Sequence, residues 1–235
     1  RVKSGIKYAL IKITYNGHCC TLESNLIEYV KTLLNVNEAV IQDGIVNLKV
    51  NNEIVVENRN DEKWVYLYSF YKAENQIAER ILKLDKAKNM KKVSNIEKEL
   101  KLVEEKTDIM LSEKQKEAIR AINDNNVTII TGGPGTGKTT IIKSIIEIYK
   151  QKKYKIVLCA PTGRAAKRMT ETTGEEASTL HRLLEIGKVD EESLFKKDSE
   201  YQGAPIDGDI IIVDEVSMVD MFIMSYLLDC IYLGT

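Results

Sequence analysis

Apolar side chains in the first seventy residues follow two different spacings. One recurs every three or four positions and predicts amphipathic helices. These helices cover residues 4–16, 23–34 and 37–51. The other forms short runs of β-branched and aromatic residues and predicts strands. These strands cover residues 18–22, 53–57 and 64–68. With the polar turn 58–62, the order helix, strand, helix, helix, strand, turn, strand is that of a winged helix, which we assign to residues 1–68.

A winged helix commonly places the second of its paired helices in a DNA major groove. Here that helix, residues 37–51, offers Lys49 as its only cation, beside Glu38 and Asp43. A groove-reading helix brings several cations to the phosphates. We therefore favour an architectural or protein-contact role for this domain over direct DNA reading.

Residues 69–110 are rich in Lys and Glu and predict one or two connecting helices. From Arg80 to Lys101 there are eight basic residues against three acidic ones. Such a stretch can meet a phosphate backbone, but it more often forms the solvated face of a helix. We assign these residues to a helical connector between two domains.

From residue 111 to 235, β-branched runs alternate with segments of helical periodicity. The runs predict buried strands over residues 127–131, 155–159 and 209–213. A further helical run covers residues 178–184. This alternation predicts an α/β fold with a parallel, doubly wound sheet, in which functional residues gather at the carboxyl ends of the strands. The polar stretch 187–207 is either a DNA-facing insertion or a disordered connection.

The first of these strands leads into residues 132–139, GGPGTGKT, and then into an apolar helix. This is the phosphate-loop pattern G-x-x-x-x-G-K-[ST] in its strand–loop–helix setting. Its backbone N–H groups and the helix N-terminus attract phosphates, the lysine reaches the β- and γ-phosphates, and the hydroxyl binds Mg²⁺. The nucleotide-binding residues predicted here are Gly133, Pro134, Gly135, Thr136, Gly137, Lys138, Thr139 and Thr140.

Two acidic residues end the strand over 209–213, and the first lies 76 positions after Lys138. Asp214 is predicted to bind Mg²⁺ together with Thr139, and Glu215 to activate the attacking water as a general base. Lys138 and Glu215 are therefore the predicted catalytic residues, with ATP and Mg²⁺ as the ligands. The pattern as a whole indicates nucleotide hydrolysis.

The composition and charge mainly argue against certain partners and ligands. With 34 Lys and Arg against 35 Asp and Glu, the formal net charge is -1, so there is no overall electrostatic case for a nucleic-acid partner. No apolar run approaches the roughly 20 residues of a membrane span. The cluster His18-Cys19-Cys20 lacks further ligands for a structural metal, and scattered free thiols are typical of a cytoplasmic protein.

Together the motifs resemble those of RecD-like superfamily 1B DNA helicases, the exodeoxyribonuclease V alpha chain family. The segments that carry the resemblance are LSEKQKEAI, GGPGTGKTT, APTGRAAKRM, STLHRLL and IIIVDEVSMVD, within residues 106–235. The phosphate loop is shared by many ATPases, whereas APTGRAA followed by TLHRLL is far more specific. The resemblance implies an incomplete RecA-like motor domain at 111–235 that works in DNA recombination and repair.

The resemblance also implies roles for individual residues. It assigns Gln115 to adenine recognition. It implies movement 5′ to 3′ on single-stranded DNA, unwinding at duplex junctions, and recombination or repair proteins as partners. The residues that it assigns to DNA contact are Pro161, Thr162, Gly163, Arg164, Thr179, Leu180, His181 and Arg182. From the residues alone, 161–164 could equally be a capped helix with a surface arginine.

The sequence departs from the family pattern at Thr235, where the family continues into a G-D-x-x-Q-L strand and a second motor domain. We therefore expect a fragment that binds nucleotide weakly at best and is inactive or very weak as an enzyme alone. One alternative is a replication-initiator-like ATPase, although those place the winged helix after the core and lack APTGRAA. Another is a nucleotide-binding module without turnover, which the intact Lys138 and Glu215 disfavour.

Overall fold

A computed structural model describes residues 1–88, 91–186 and 204–233. The chain divides into two compact units, one over Arg1–Gln76 and one that begins at Ile77. The expected loop at 187–207 lies largely outside the described residues. No helix in the described parts of the chain is both long and apolar enough to cross a membrane.

The first unit packs helices against a small antiparallel sheet. Its helices are α1 (Val2–Tyr15), α2 (Glu23–Leu34) and α3 (Glu38–Val50), followed by the start of α4 (Tyr68–Asp85). Its strands are β1 (Cys20–Leu22), β2 (Ile54–Arg59) and β3 (Glu62–Leu67), in the order β1-β3-β2. The apolar faces of the helices form one core, in which Ile6, Leu26 and Ile41 are fully buried. The periodicity therefore located these elements well.

The hairpin between β2 and β3 is tighter than expected. Asn58 pairs with Lys63 and Arg59 with Glu62, so both strands extend into the segment predicted as the turn 58–62. The turn itself is Asn60-Asp61, with φ of 49° and 65°. Asn and Asp tolerate this left-handed conformation, and a two-residue turn of this hand matches the twist of the paired strands. The predicted five-residue turn is wrong for this reason.

The second unit contains a three-stranded parallel sheet. Its helices after α4 are α5 (Ile96–Thr107), α6 (Glu113–Asp124), α7 (Lys138–Gln151), α8 (Gly163–Thr173), α9 (Leu180–Leu183) and α10 (Met221–Asp229). Its strands are β4 (Ile156–Ala160), β5 (Ala177–Thr179) and β6 (Ile210–Val213), in the order β5-β4-β6. Both strand pairs are parallel, and this mixed α/β architecture agrees with a P-loop NTPase fold.

Residues 127–131, predicted as a buried strand, do not form one. The segment belongs to neither sheet of the described residues, and Ile129 is 88% exposed. Its β-branched composition suits a pleated surface, but a strand also needs a neighbour to complete its hydrogen-bonded ladder. Instead, Ile130 packs against the core around α7, and the Thr128 hydroxyl donates to the carbonyl of Ala121 at 3.4 Å.

The predicted helix over 178–184 also needs a correction. Ser178 and Thr179 belong to β5, and the helix begins at Leu180. Thr179 pairs with Ala160 of β4. The hydrogen bonds to β4, which the local sequence does not reveal, decide between strand and helix at these two residues.

Helix α5 packs into the core of the second unit rather than standing apart from it. Leu100 and Val103 are buried with Ile145 and Tyr149 of α7, while Lys98 and Lys101 are exposed. The predicted basic face is therefore solvated, and the opposite face is core.

The segment before α5 is held by a buried side chain of α6. Asn123 accepts a hydrogen bond from the Val93 N–H at 2.8 Å and donates to the Val93 carbonyl at 3.3 Å. The Tyr149 hydroxyl donates to the same Asn123 oxygen at 3.3 Å. Because the amide satisfies both backbone groups of Val93, residues 91–95 are attached to the sheet-bearing unit without a strand of their own.

Candidate nucleotide and DNA site

Helix α7 begins at a glycine and has no side-chain cap. Gly137 is its N-cap with φ of 83°, and Gly135 precedes it with φ of 75°. L-residues with a Cβ avoid this left-handed region, so both positions favour glycine. The first N–H groups of a helix lack intrahelical partners and carry a partial positive charge. The start of α7 therefore has the chemistry of a phosphate-binding site.

The side chains of the loop support the same arrangement. The ammonium of Lys138 donates to the carbonyls of Gly132 and Gly133, at 2.5 and 3.0 Å. The Thr136 hydroxyl donates to the Gly133 carbonyl at 2.9 Å. Thr139 and Thr140 occupy the first turn of α7. The Lys138 ammonium thus lies at the carbonyls of the loop.

Gln115 reaches this loop from the start of α6. It is the third residue of a capping box, in which the Ser112 hydroxyl accepts from the Gln115 N–H and the Gln115 side chain accepts from the Ser112 N–H. Its Nε2 lies against Gly137, since a Cβ built on that glycine would be 2.1 Å away. The fold therefore brings the residue predicted to read adenine to the loop predicted to bind phosphates.

The two acidic residues follow β6 at the carboxyl edge of the sheet. The Asp214 N–H donates to the Cys159 carbonyl at 3.0 Å, and one Asp214 carboxylate oxygen accepts from the Glu215 N–H at 2.9 Å. Glu215 has φ of 53°, an unusual conformation for a residue with a Cβ and one that is frequent at functional sites. Burial raises the pKa of the Cys159 thiol to about 12, so this side chain packs as a neutral group beside the acids.

The donor set suits Mg²⁺. The ion prefers hard oxygen ligands, and both the Thr139 hydroxyl and the Asp214 carboxylate are of this kind. In the part of the chain that the structure describes, no hydrogen bond or ion pair joins Lys138 or Thr139 to Asp214 or Glu215.

Two threonines predicted to contact DNA are helix N-caps at neighbouring strand ends. The Thr162 hydroxyl accepts from the Ala165 N–H, and the Thr179 hydroxyl accepts from the Arg182 N–H, both at 3.2 Å. The pairing of Ala160 with Thr179 sets the ends of β4 and β5 side by side. The interpretation of residues 161–164 as a capped helix with a surface arginine is therefore correct. The two caps do not prevent a ligand from contacting these helix starts.

The remaining side chains of this group differ in exposure. Arg164, His181 and Arg182 are exposed, whereas Leu180 is fully buried in the core formed with α10. Leu180 therefore packs the fold, and we leave it out of the DNA contacts proposed below.

Sequence reasoning overlooked Ser112. The signal was present, because S-x-x-Q at 112–115 followed by helical periodicity is a capping-box signature. Its importance became visible only when the fold placed the Gln115 amide against the phosphate loop.

Comparison with known proteins gives one family and several relatives. Residues 115–235 match a family described as AAA domain. The RecBCD enzyme subunit RecD of Buchnera aphidicola is 35% identical over 194 residues, or 74% of this chain and 31% of that protein. The ATP-dependent RecD2 DNA helicase of Deinococcus radiodurans is 41% identical over 118 residues, or 50% of this chain and 16% of that protein. The ATP-dependent DNA helicase dda of Enterobacteria phage T4 is 38% identical over 129 residues, or 52% of this chain and 29% of that protein. The matched region spans about a third or less of each relative.

Proposed function

This chain belongs to the AAA domain family and is RecD-like in sequence, and from that premise we propose that it is part of an ATP-dependent DNA helicase. In this proposal ATP hydrolysis drives movement 5′ to 3′ on single-stranded DNA and separation of duplexes during recombination or repair. The observation that carries the proposal is the start of α7 at Gly137, which has no side-chain cap. There the Lys138 ammonium contacts the loop carbonyls and the Gln115 amide lies against Gly137. The name of the RecD2 helicase supports the same activity. The description of RecD as a subunit of the RecBCD enzyme supports recombination or repair proteins as partners.

The mechanism that we propose assigns separate tasks around the loop. Backbone N–H groups of residues 133–140 and the Lys138 ammonium hold the phosphates, and Lys138 moves from the loop carbonyls to them. Thr139 and Asp214 would hold Mg²⁺, and the ion would neutralise charge on the phosphates. Glu215 orients the attacking water and accepts its proton. The left-handed backbone at Glu215 fixes where its side chain leaves the strand end.

The proposed DNA surface is the row of helix starts at the ends of β4 and β5. Exposed arginines and helix N-termini bind phosphate oxygens without reading bases, as a translocating protein requires. The chain's formal charge of -1 is compatible with this, because few groups need to hold the strand at any moment. The residues proposed for this contact are Pro161, Thr162, Gly163, Arg164, Thr179, His181 and Arg182.

A Glu215→Gln variant of the longer helicase that contains this chain tests the hydrolytic proposal, because we expect these 235 residues alone to hydrolyse ATP very weakly. The amide keeps the size of the side chain but cannot accept the proton, so we expect ATP hydrolysis to fall roughly a thousandfold, a usual contribution of a general base. ATP affinity should change by no more than about threefold, because the phosphate loop supplies the binding contacts. The loss of a single hydrogen bond usually changes an affinity by less than about tenfold. Single-turnover ADP formation with Mg²⁺ and single-stranded DNA, together with binding of a fluorescent ATP analogue, measures both.

The Lys138→Ala variant provides the complementary case, because it should lose binding as well as hydrolysis. Hydrolysis that survives Glu215→Gln would contradict the assignment of the base. Unchanged nucleotide binding in Lys138→Ala would contradict the nucleotide site itself.

A further inference from the structure

Helix α1 of the first unit exposes two aromatic rings. Its buried side carries Ile6, Ala9 and Leu10, which pack in the core of that unit. An amphipathic helix normally presents charged and polar side chains on the opposite side. In α1 that side carries Tyr8, which is 47% exposed, and Tyr15, which is 82% exposed. These two rings therefore have contact area that the core does not use.

The two rings share one face of the helix. Tyr8 and Tyr15 are seven residues apart, which is close to two helical turns and about 10 Å along the axis. Ile11 and Lys12 are exposed between them. Residues at i, i+3, i+4 and i+7 lie on the same side of a helix, so these four side chains form one continuous stripe. We call it the α1 face.

Every charged side chain of α1 is basic. The three are Lys3, Lys7 and Lys12, and the helix contains no acidic residue. Lys7 pairs with Glu53 at 2.8 Å, whereas no carboxylate of the described residues forms an ion pair with Lys12. The Lys12 ammonium lies 5.9 Å from the centre of the Tyr8 ring. The α1 face therefore combines exposed rings with a cation that a polyanion can reach.

Helix α3, in the position of a groove-reading helix, has a different surface. It also exposes apolar side chains, Val46 at 59% and Val50 at 75%, but these are aliphatic and Asp43 is exposed beside them. Aliphatic side chains beside a carboxylate offer a nucleic acid neither a stacking surface nor a cation. Within the described first unit, the aromatic and basic combination thus belongs to α1.

We propose that the α1 face binds single-stranded nucleic acid, with bases stacked on Tyr8 and Tyr15 and with Lys12 at a phosphate between them. Aromatic rings stack bases of any sequence because every base has a flat face, while cations hold the backbone. The order ring, cation, ring along α1 matches the order base, phosphate, base along a strand. The site uses no residue of the proposed nucleotide site or of the proposed DNA surface at β4 and β5.

The experiment measures binding of a fluorescent oligothymidine to the full chain. Every protein in the series also carries Arg164→Ala and Arg182→Ala, which remove two cations of the proposed DNA surface in the second unit. In this background we expect Tyr8→Ala and Tyr15→Ala each to lower the affinity roughly tenfold, a usual effect of losing one stacked base. Both rings are exposed, so the core stays intact in either variant.

The salt dependence of binding tests the cation separately. Lys12→Gln should reduce the slope of log affinity against log salt concentration by about 0.7, the amount expected for one phosphate of a single strand. A merely structural role of Lys12 would leave this slope unchanged. Tyr29→Ala is the matched control, because Tyr29 is 45% exposed on α2 but has Leu33, rather than a lysine, at i+4. It should keep the full affinity.

Three results would overturn the proposal. The first is an affinity that stays unchanged in both Tyr8→Ala and Tyr15→Ala, or the absence of any oligothymidine binding in the arginine-substituted background. The second is binding of polyglutamate, but not of oligothymidine, that Tyr15→Ala abolishes, which would assign the face to an acidic protein partner. The third is a dimer in sedimentation that Tyr15→Ala dissociates, which would assign it to a second copy of the chain.

Discussion

The starts of α6 and α7 lie next to each other and are built in opposite ways. Helix α6 begins with Ser112 and Gln115, which satisfy each other's backbone N–H groups. Helix α7 begins with Gly137 and has no side-chain cap. Side chains also cap α5, α8, α9 and α10, so α7 is the exception among the helices from α5 onward in the described residues. The capping residues of those four helices are Asn95, Thr162, Thr179 and Asp220.

The contrast between capped and uncapped helix starts separates groups that stabilise the fold from groups that are available to a ligand. A side-chain cap satisfies one or two of the first N–H groups of a helix within the protein and contributes about 1 kcal/mol to folding. An uncapped start leaves the same groups for a ligand, and phosphate is the ligand that the helix dipole favours. Changes at the start of α7 should therefore lower nucleotide affinity, whereas changes at the capping side chains should lower stability and leave nucleotide affinity unchanged.

The largest effect is expected at Gly137. Alanine there meets Gln115 and must adopt a left-handed conformation, which costs about 1–2 kcal/mol even without the collision. We expect nucleotide affinity to fall roughly a hundredfold or more, the equivalent of 2.8 kcal/mol. Binding of a fluorescent ATP analogue to Gly137→Ala measures it.

Gly174 provides the matched control for this variant. It also has a left-handed φ, 75°, but no atom lies within 4 Å of a Cβ built there. Gly174→Ala should lose stability by about 1–2 kcal/mol and keep its nucleotide affinity. Equal loss of binding in both variants would mean that general backbone strain, rather than the loop, governs the effect.

A smaller effect, on stability alone, is expected at Asp220. Its carboxylate accepts from the N–H groups of Phe222 and Ile223 at 2.8 and 3.0 Å and so caps α10. Asp220→Ala should lower the free energy of unfolding by about 1 kcal/mol, measured by urea denaturation, with nucleotide affinity unchanged. Asp220→Asn, which keeps an acceptor, should recover most of the loss. A large change in nucleotide affinity would break the separation between the two kinds of helix start.

The smallest effect concerns acid stability before α6. The Glu104 carboxylate accepts from the Leu111 N–H at 2.8 Å and pairs with Lys116 at 3.0 Å. These contacts, the Leu111 N–H first, lower the pKa of Glu104 below its ordinary value of 4.5. The stabilisation is therefore complete above pH 4.5 and is lost as the pH falls through the lower pKa of the folded state.

Glu104→Gln consequently should be less stable than the unmodified chain at pH 7, and the difference should shrink as the pH falls below 4.5. Urea denaturation at pH 7 and at a pH below 4.5 measures this difference in stability. Glu105→Gln, at the exposed neighbouring position, controls for the loss of a charge. A difference that stays constant with pH would show that the contacts of the Glu104 carboxylate add nothing.

Much of this protein follows from its sequence alone. Helical periodicity predicted α2 and α3 nearly to the residue, because the apolar face of an amphipathic helix is written into a local window. The glycines, lysine and threonines of 132–139 predicted an anion-binding helix start for the same reason, since each requirement of the loop concerns its own backbone. The alternation of β-branched runs with helical segments also predicted the α/β class of the second unit.

The tertiary structure decided everything that depends on a partner distant in the sequence. Residues 127–131 have strand composition but no ladder, whereas 178–179 join β4 although their pattern is helical. Leu180 matches a DNA-binding segment and is core, and the Gln115 amide meets Gly137 only because α6 and α7 pack together. A local pattern sets which conformations a segment prefers. Hydrogen bonding and packing with distant residues then select among them, because a ladder, a core or a binding site needs both sides to exist.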